Sequence, residues 1–117
     1  MRQRIGRAVL LCTVLALCAC RKGYLGRARE QVAIGDLRED AVATLEESAW
    51  YYQPCHYRDL VEDLFFFGSH RYDKAQIVIV SSEIDEGVYR VYQISSFEPY
   101  AWHTAYKDCI DRTRFEE

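Results

Sequence analysis

The chain predicts an α+β fold: a three-stranded antiparallel β-meander covered by an N-terminal and a C-terminal helix, in the order α-β-β-β-α. Three observations predict it. Apolar residues recur at helical spacing across positions 37–49. Three β-branched or aromatic runs follow, with short connections that favour antiparallel pairing. A second helical stripe begins after Pro99.

The first helix is predicted over about 37–49. Asp36 and Glu39 have the spacing of a capping box, and Asp40 adds a second acid to the first turn. Leu37, Ala41, Leu45 and Ala49 recur every four residues, and Val42 and Trp50 broaden the stripe. Arg38, Glu39, Glu46 and Glu47 fall largely outside it. Pro54 then ends the segment that begins at Trp50. Strands are predicted over 63–67, 76–81 and 88–95. Gly68 and Ser69 bound the first, and Asp85-Glu86-Gly87 reads as a hairpin turn between the last two. After Pro99, the residues Ala101, Trp102, Ala105, Tyr106, Cys109 and Ile110 form the stripe of the second helix. Arg112 and Arg114 lie near its C-terminal end, where cations are favourable.

A chain of 117 residues allows one domain and excludes a multidomain enzyme. A hydrophobic fraction of 50% is too high for a disordered protein. The formal net charge of −3 argues against nucleic acid as a partner.

The N-terminus has the layout of a secretory signal peptide. Arg2, Arg4 and Arg7 precede an uncharged stretch over 8–20, which Arg21 and Lys22 end abruptly. As a helix that stretch reaches roughly 20 Å, short of the ~30 Å hydrocarbon core of a bilayer. Its end, Leu17-Cys18-Ala19-Cys20, resembles the lipobox of bacterial lipoproteins. The resemblance implies a diacylglycerol thioether on Cys20, cleavage after Ala19 and acylation of the new amino group. The alternative is ordinary secretion with cleavage nearby. In Gram-negative lipoproteins an aspartate after the anchor cysteine retains the protein in the inner membrane. Arg21 stands there, so the resemblance implies an outer-membrane protein facing the periplasm.

The organisation that follows is a signal peptide over 1–19, a lipidated cysteine with a basic tether over 20–33, an α+β domain over 34–112 and a tail over 113–117. Arg21, Lys22, Arg27 and Arg29 form the membrane-proximal basic group. Removing 1–19 takes three of the 15 basic residues and no acid, leaving 12 against 18. The tether is then basic and the domain acidic. Cys12 and Cys18 leave with the signal and Cys20 carries lipid, so Cys55 and Cys109 are one even pair in an oxidising compartment. A disulfide between them is expected. The competing reading is a metal or redox site, and the pair has no C-x-x-C spacing.

Catalytic signals are weak, and no catalytic residue, metal site or cofactor is assigned. His56, His70 and His103 form no metal-binding pair, and Ser81, Ser82, Ser95 and Ser96 lack a nucleophile elbow. The aromatic content is the compositional oddity. Phe65, Phe66 and Phe67 cannot all face one way on a strand. With Tyr89 and Tyr92 they make the candidate contact surface, against the alternative that they fill the core.

A second resemblance lies in the mature chain. Ile34-Gly35 ahead of the helix, Val42 and Leu45 within it and Trp50-Tyr51-Tyr52 leading out resemble small outer-membrane lipoproteins of the SmpA/OmlA type. That family sets a helical hairpin ahead of its sheet, whereas the stripe after Pro99 puts the second helix behind it. The resemblance implies a role in assembling or maintaining the outer membrane. The function expected is therefore a non-catalytic, lipid-anchored envelope protein that binds another envelope component. The alternatives are a lipid-tethered small-molecule-binding or enzyme-inhibitor module, and then a small hydrolase. The sequence does not specify an oligomeric state.

Overall fold

The computed structural model describes residues 23–97 and 104–116. Two helices, α1 (Tyr24–Gln31) and α2 (Arg38–Glu46), precede four strands. The strands are β1 (Tyr51–His56), β2 (Leu60–Gly68), β3 (Ala75–Asp85) and β4 (Val88–Phe97). They form one sheet in sequence order, with every neighbouring pair antiparallel. A 3-10 turn, Arg112–Arg114, lies near the C-terminus.

This corrects the expected three-stranded α-β-β-β-α arrangement. The sheet has a fourth strand, β1, where Pro54 was expected to break the chain. As an edge strand β1 pairs with β2 alone, so a residue without an N–H is tolerated there. Both helices come before the sheet. Of the second helix expected over 101–110, residues 98–103 lie outside the described residues. Thr104 and Ala105 are helical and 106–109 are turn. The stretch expected as a tether, partly helical near 27–33, contains α1 from Tyr24 to Gln31, with Ala28 buried in the core. The capping box is also absent. Leu37 is the N-cap of α2, and Asp36 Oδ2 instead accepts the Ala33 N–H at 2.9 Å.

The core has two sides because both faces of the sheet are covered. Side chains alternate along a strand. Phe65 and Phe67 of β2, with Val78, Val80, Val91 and Ile94, pack beneath Ala28, Val32, Ala41 and Leu45 of the helical side. Leu64 and Phe66, with Ile77 and Ile79, pack beneath Tyr106, Ile110 and Phe115. The second cover is a C-terminal arm, residues 104–116. Three contacts hold it. Cys109 is joined to Cys55 of β1. Phe115 meets the rings of Trp50, Phe66 and Tyr72 edge-on at 5.3, 5.2 and 5.3 Å. Glu116 pairs through its backbone with His70 and Tyr72 at 2.8 and 3.2 Å. The packed unit thus reaches beyond 34–112 at both ends, and the expected 113–117 tail contains a core residue.

Two local features position the surface. The β3–β4 hairpin turns at Glu86 (φ 52°) and Gly87 (φ 84°), the two positive values that a type I′ turn requires. In β4, Val91 pairs with Ser82 and Gln93 with Ser81, so Tyr92 is an extra residue in a β-bulge. The α1–α2 connection straps the outer edge of β4. Gly35 N–H donates to Val91 O at 2.8 Å and Val91 N–H to Asp36 O at 2.9 Å. Gly35 has φ 98°, a conformation that side-chain-bearing residues rarely adopt.

Candidate functional site

Three groupings have the chemistry of a site: a buried ion pair, a tyrosine-bonded carboxylate and an apolar strip beside β4.

The ion pair lies beneath α2. Asp63 is fully buried on the helical face of β2. Arg38, in the first turn of α2, donates from Nε to Asp63 Oδ2 at 2.8 Å and from Nη2 to Oδ1 at 2.9 Å. The Tyr52 hydroxyl, one strand away on the same face, donates to Oδ1 at 2.6 Å. Arg38 Nη2 also donates to Tyr52 Oη at 3.3 Å. The hydrogen bond to Asp63 raises the Arg38 pKa further. Burial pushes the Tyr52 phenol well above its ordinary value, and Asp63 adds to that rise. A phenol held neutral against a paired carboxylate does not exchange protons near neutral pH. The network ties the first turn of α2 to β1 and β2.

The second grouping is on the opposite face, beside the disulfide. Glu62 accepts the Tyr106 hydroxyl at 3.0 Å and Ser81 Oγ at 3.5 Å. Burial, and then the charge of Glu62, pushes the Tyr106 phenol well up. Burial also raises Tyr57, again with Glu62 contributing. These bonds tie the arm to β2 and β3. Asp111 accepts from the Thr113 N–H and hydroxyl at 3.0 and 2.6 Å, which closes the 3-10 turn.

The third grouping carries accessible apolar surface. Ile34 is 62% exposed, Ile84 48%, Val88 41% and Tyr92 38%. Ile34 and Tyr92 line one open groove of about 420 Å³ with Arg29 and Gln93. Val88 and Tyr89 line a second, of about 260 Å³, with Leu37 and Glu39. The strap at residues 35–37 bonds β4 at Val91, between the two. Apolar side chains rimmed by polar ones suit contact with another protein.

Of the expected contact surface, Tyr89 and Tyr92 fall beside these grooves, and Phe65, Phe66 and Phe67 do not. The three phenylalanines are buried, because both faces are covered: Phe65 and Phe67 lie beneath the helices and Phe66 beneath the arm. Ile34 was missed. It stands outside any periodic stripe, and the sequence singles it out only in the Ile34-Gly35 pair of the SmpA/OmlA resemblance, not as a contact residue. The Arg38–Asp63 pair was missed because Arg38 lies off the apolar stripe of α2.

Cys55 and Cys109 are bonded to each other. Arg29 Nη2 donates to Ile94 O at 2.8 Å, tying α1 to β4, and the Arg27 guanidinium lies 5.3 Å over the Tyr24 ring. Cys20, Arg21 and Lys22 lie outside the described residues, as does His103. His56 is exposed at the end of β1, and His70 stacks on Trp50 at 4.1 Å. Ser81 and Ser82 are buried, and Ser82 Oγ has no partner among the described residues. Among the described residues, no three His, Cys, Asp or Glu side chains converge as a metal site would require. The cavity between α1 and α2, lined by Tyr24, Arg27, Leu45 and Phe67, holds about 220 Å³. That is below the ~300–1,000 Å³ of most small-molecule pockets. No described helix is long and apolar enough to cross a membrane.

Compared with known proteins, the chain matches no family model, no curated protein and no solved structure.

Proposed function

We propose that the chain is an exported envelope protein, anchored through acylated Cys20, that works without catalysis by binding another envelope component. The observation that carries this reading is the Cys55–Cys109 bridge. It holds a cover onto a small core and persists only where thiols are not kept reduced. Two further features support it. Two helices ahead of an antiparallel sheet is the order that the SmpA/OmlA resemblance implies, although this sheet has four strands. Among the described residues the exposed large apolar side chains lie on or beside β4, Tyr57 excepted. By that resemblance, the partner belongs to the machinery that assembles or maintains the outer membrane.

The test is photo-crosslinking in the native envelope. A photoreactive residue at Tyr92 captures one discrete partner, and Ile34→Asp abolishes the adduct while the protein level is unchanged. A photoreactive residue at Thr44, exposed on α2, captures none. Equal capture from both positions, or an adduct indifferent to Ile34→Asp, overturns the reading.

A further inference from the structure

We propose that the domain meets the bilayer through the end formed by the start of α1, the β2–β3 loop and the end of β4. The 57–59 and 86–87 turns are then directed away from the membrane. This rests on acylation of Cys20, the reading given above.

The reach of the tether sets the orientation. Tyr24, the first residue of α1, sits at one end of the sheet. Its ring stacks on Phe67 at 4.8 Å and lies 3.7 Å from where a side chain on Gly68 would begin. A groove there is lined by Gly23, Tyr24, Lys74, Gln76 and Phe97, which places the start of α1 among the ends of β2, β3 and β4. Tyr24 lies four positions after Cys20, a span of at most about 14 Å. The strand β3 runs 11 residues from that end to the Glu86 turn, a length of roughly 35 Å. Inverting the domain would lift Tyr24 by more than twice the reach of its tether.

The side chains at the two ends agree with this orientation. At the anchored end Arg27, Arg71 and Lys74 are exposed, against Glu46, Glu47 and Asp73, so that end is close to neutral. Exposed apolar side chains occur at both ends, Phe97 here and Tyr57, Ile84 and Val88 at the other, so charge is what distinguishes the two. At the far end Asp59, Glu83, Asp85 and Glu86 stand against Arg58 and Arg90. An acidic end is repelled by anionic lipid, and a neutral one is not. The inferred occupant of the anchored end is therefore a phospholipid surface. The β4 strip lies along the side of the domain and stays available to a partner.

Lysine reactivity tests this on the full chain. The chain contains only Lys22, Lys74 and Lys107. Lys74 is at the anchored end, and Lys107 adjoins Tyr106 and the disulfide near the far end. The native lipoprotein is reconstituted in phosphatidylethanolamine–phosphatidylglycerol vesicles and treated with a water-soluble acylating reagent. The reference is residues 20–117 with Cys20→Ala, made without the signal and free in buffer. Lys74 is expected to react several-fold more slowly on the vesicles, with Lys107 unchanged. An acylated chain in which Lys74 reacts at its free rate, or in which Lys107 is the one protected, overturns the orientation alone. A Cys20 without acyl mass overturns the anchoring and the orientation together.

Discussion

The Arg38 guanidinium meets the Asp63 carboxylate side-on, with Nε 2.8 Å from Oδ2 and Nη2 2.9 Å from Oδ1. The carboxylate is fully buried, and the arginine side chain is 23% exposed. Removing one partner strands the other. Asp63→Ala is expected to destabilise the domain by about 3–5 kcal/mol. Tyr52→Phe removes one bond to the same carboxylate and costs about 1–3 kcal/mol. Replacing both ions, as Arg38→Met with Asp63→Leu, recovers most of the loss. Urea unfolding of these three variants and of the singles Arg38→Met and Asp63→Leu measures each value, and an additive double variant would contradict the coupling.

The disulfide closes a loop with a sequence separation of 54 residues. Chain-entropy arithmetic assigns about 4 kcal/mol to a closure of that length. Cys55→Ser with Cys109→Ser, or wild type with reductant, is expected to lose most of that amount. The loss should begin at the C-terminal arm, with hydrogen exchange at Tyr72 and Glu116 rising before exchange in β2 and β3.

Alkaline pH acts through two phenols. Burial raises Tyr52 and Tyr106 above the ordinary tyrosine value, and neighbouring carboxylates contribute. The folded state therefore binds these protons more tightly than the unfolded chain does. The stabilisation is complete below about pH 10 and is lost as pH climbs through the folded values. Unfolding midpoints should be flat from neutral pH to about 10 and fall above it, where the unfolded chain ionises first. Tyr106→Phe should flatten that fall. Tyrosinate absorbance should show both phenols ionising together with unfolding.

At the β3–β4 turn, Glu86 holds φ 52°. Left-handed backbone costs an ordinary L-residue about 1–2 kcal/mol, and asparagine tolerates it better. Glu86→Asn is expected to raise the thermal midpoint without altering the crosslink at Tyr92. A lowered midpoint would contradict the turn geometry.

Much of the sheet was legible because its patterns are local. The run 76–81 and the Glu86-Gly87 turn signal a buried strand and a hairpin with little ambiguity. The helix around Ala41 and Leu45 follows from four-residue spacing. The errors share a physical cause, which is that covering is a tertiary property. Pro54 excludes a central strand but not an edge one, and only the fold shows that β1 is an edge. The sequence of α1 is short, polar and interrupted by Gly26. Its helix is stabilised by docking Ala28, and by Arg29 reaching Ile94 O, more than by its own propensity. Tyr106, Cys109 and Ile110 are spaced as a helix would space them. A single turn serves as well once the disulfide and Phe115 hold the arm down. Phe65, Phe66 and Phe67 implied an exposed ring only while one face of the sheet lacked a cover. The ion pair under α2 left no pattern, because 25 residues separate its partners.

The central claim is that this domain leaves the cytoplasm, is acylated at Cys20 and is stapled between Cys55 and Cys109. Peptide mass mapping of the native protein, isolated from membranes without reductant, tests it most directly. The account predicts a first residue of Cys20 carrying diacylglycerol and an N-acyl group, and one linked peptide containing Cys55 and Cys109. A retained Met1 with free thiols at both positions would contradict it.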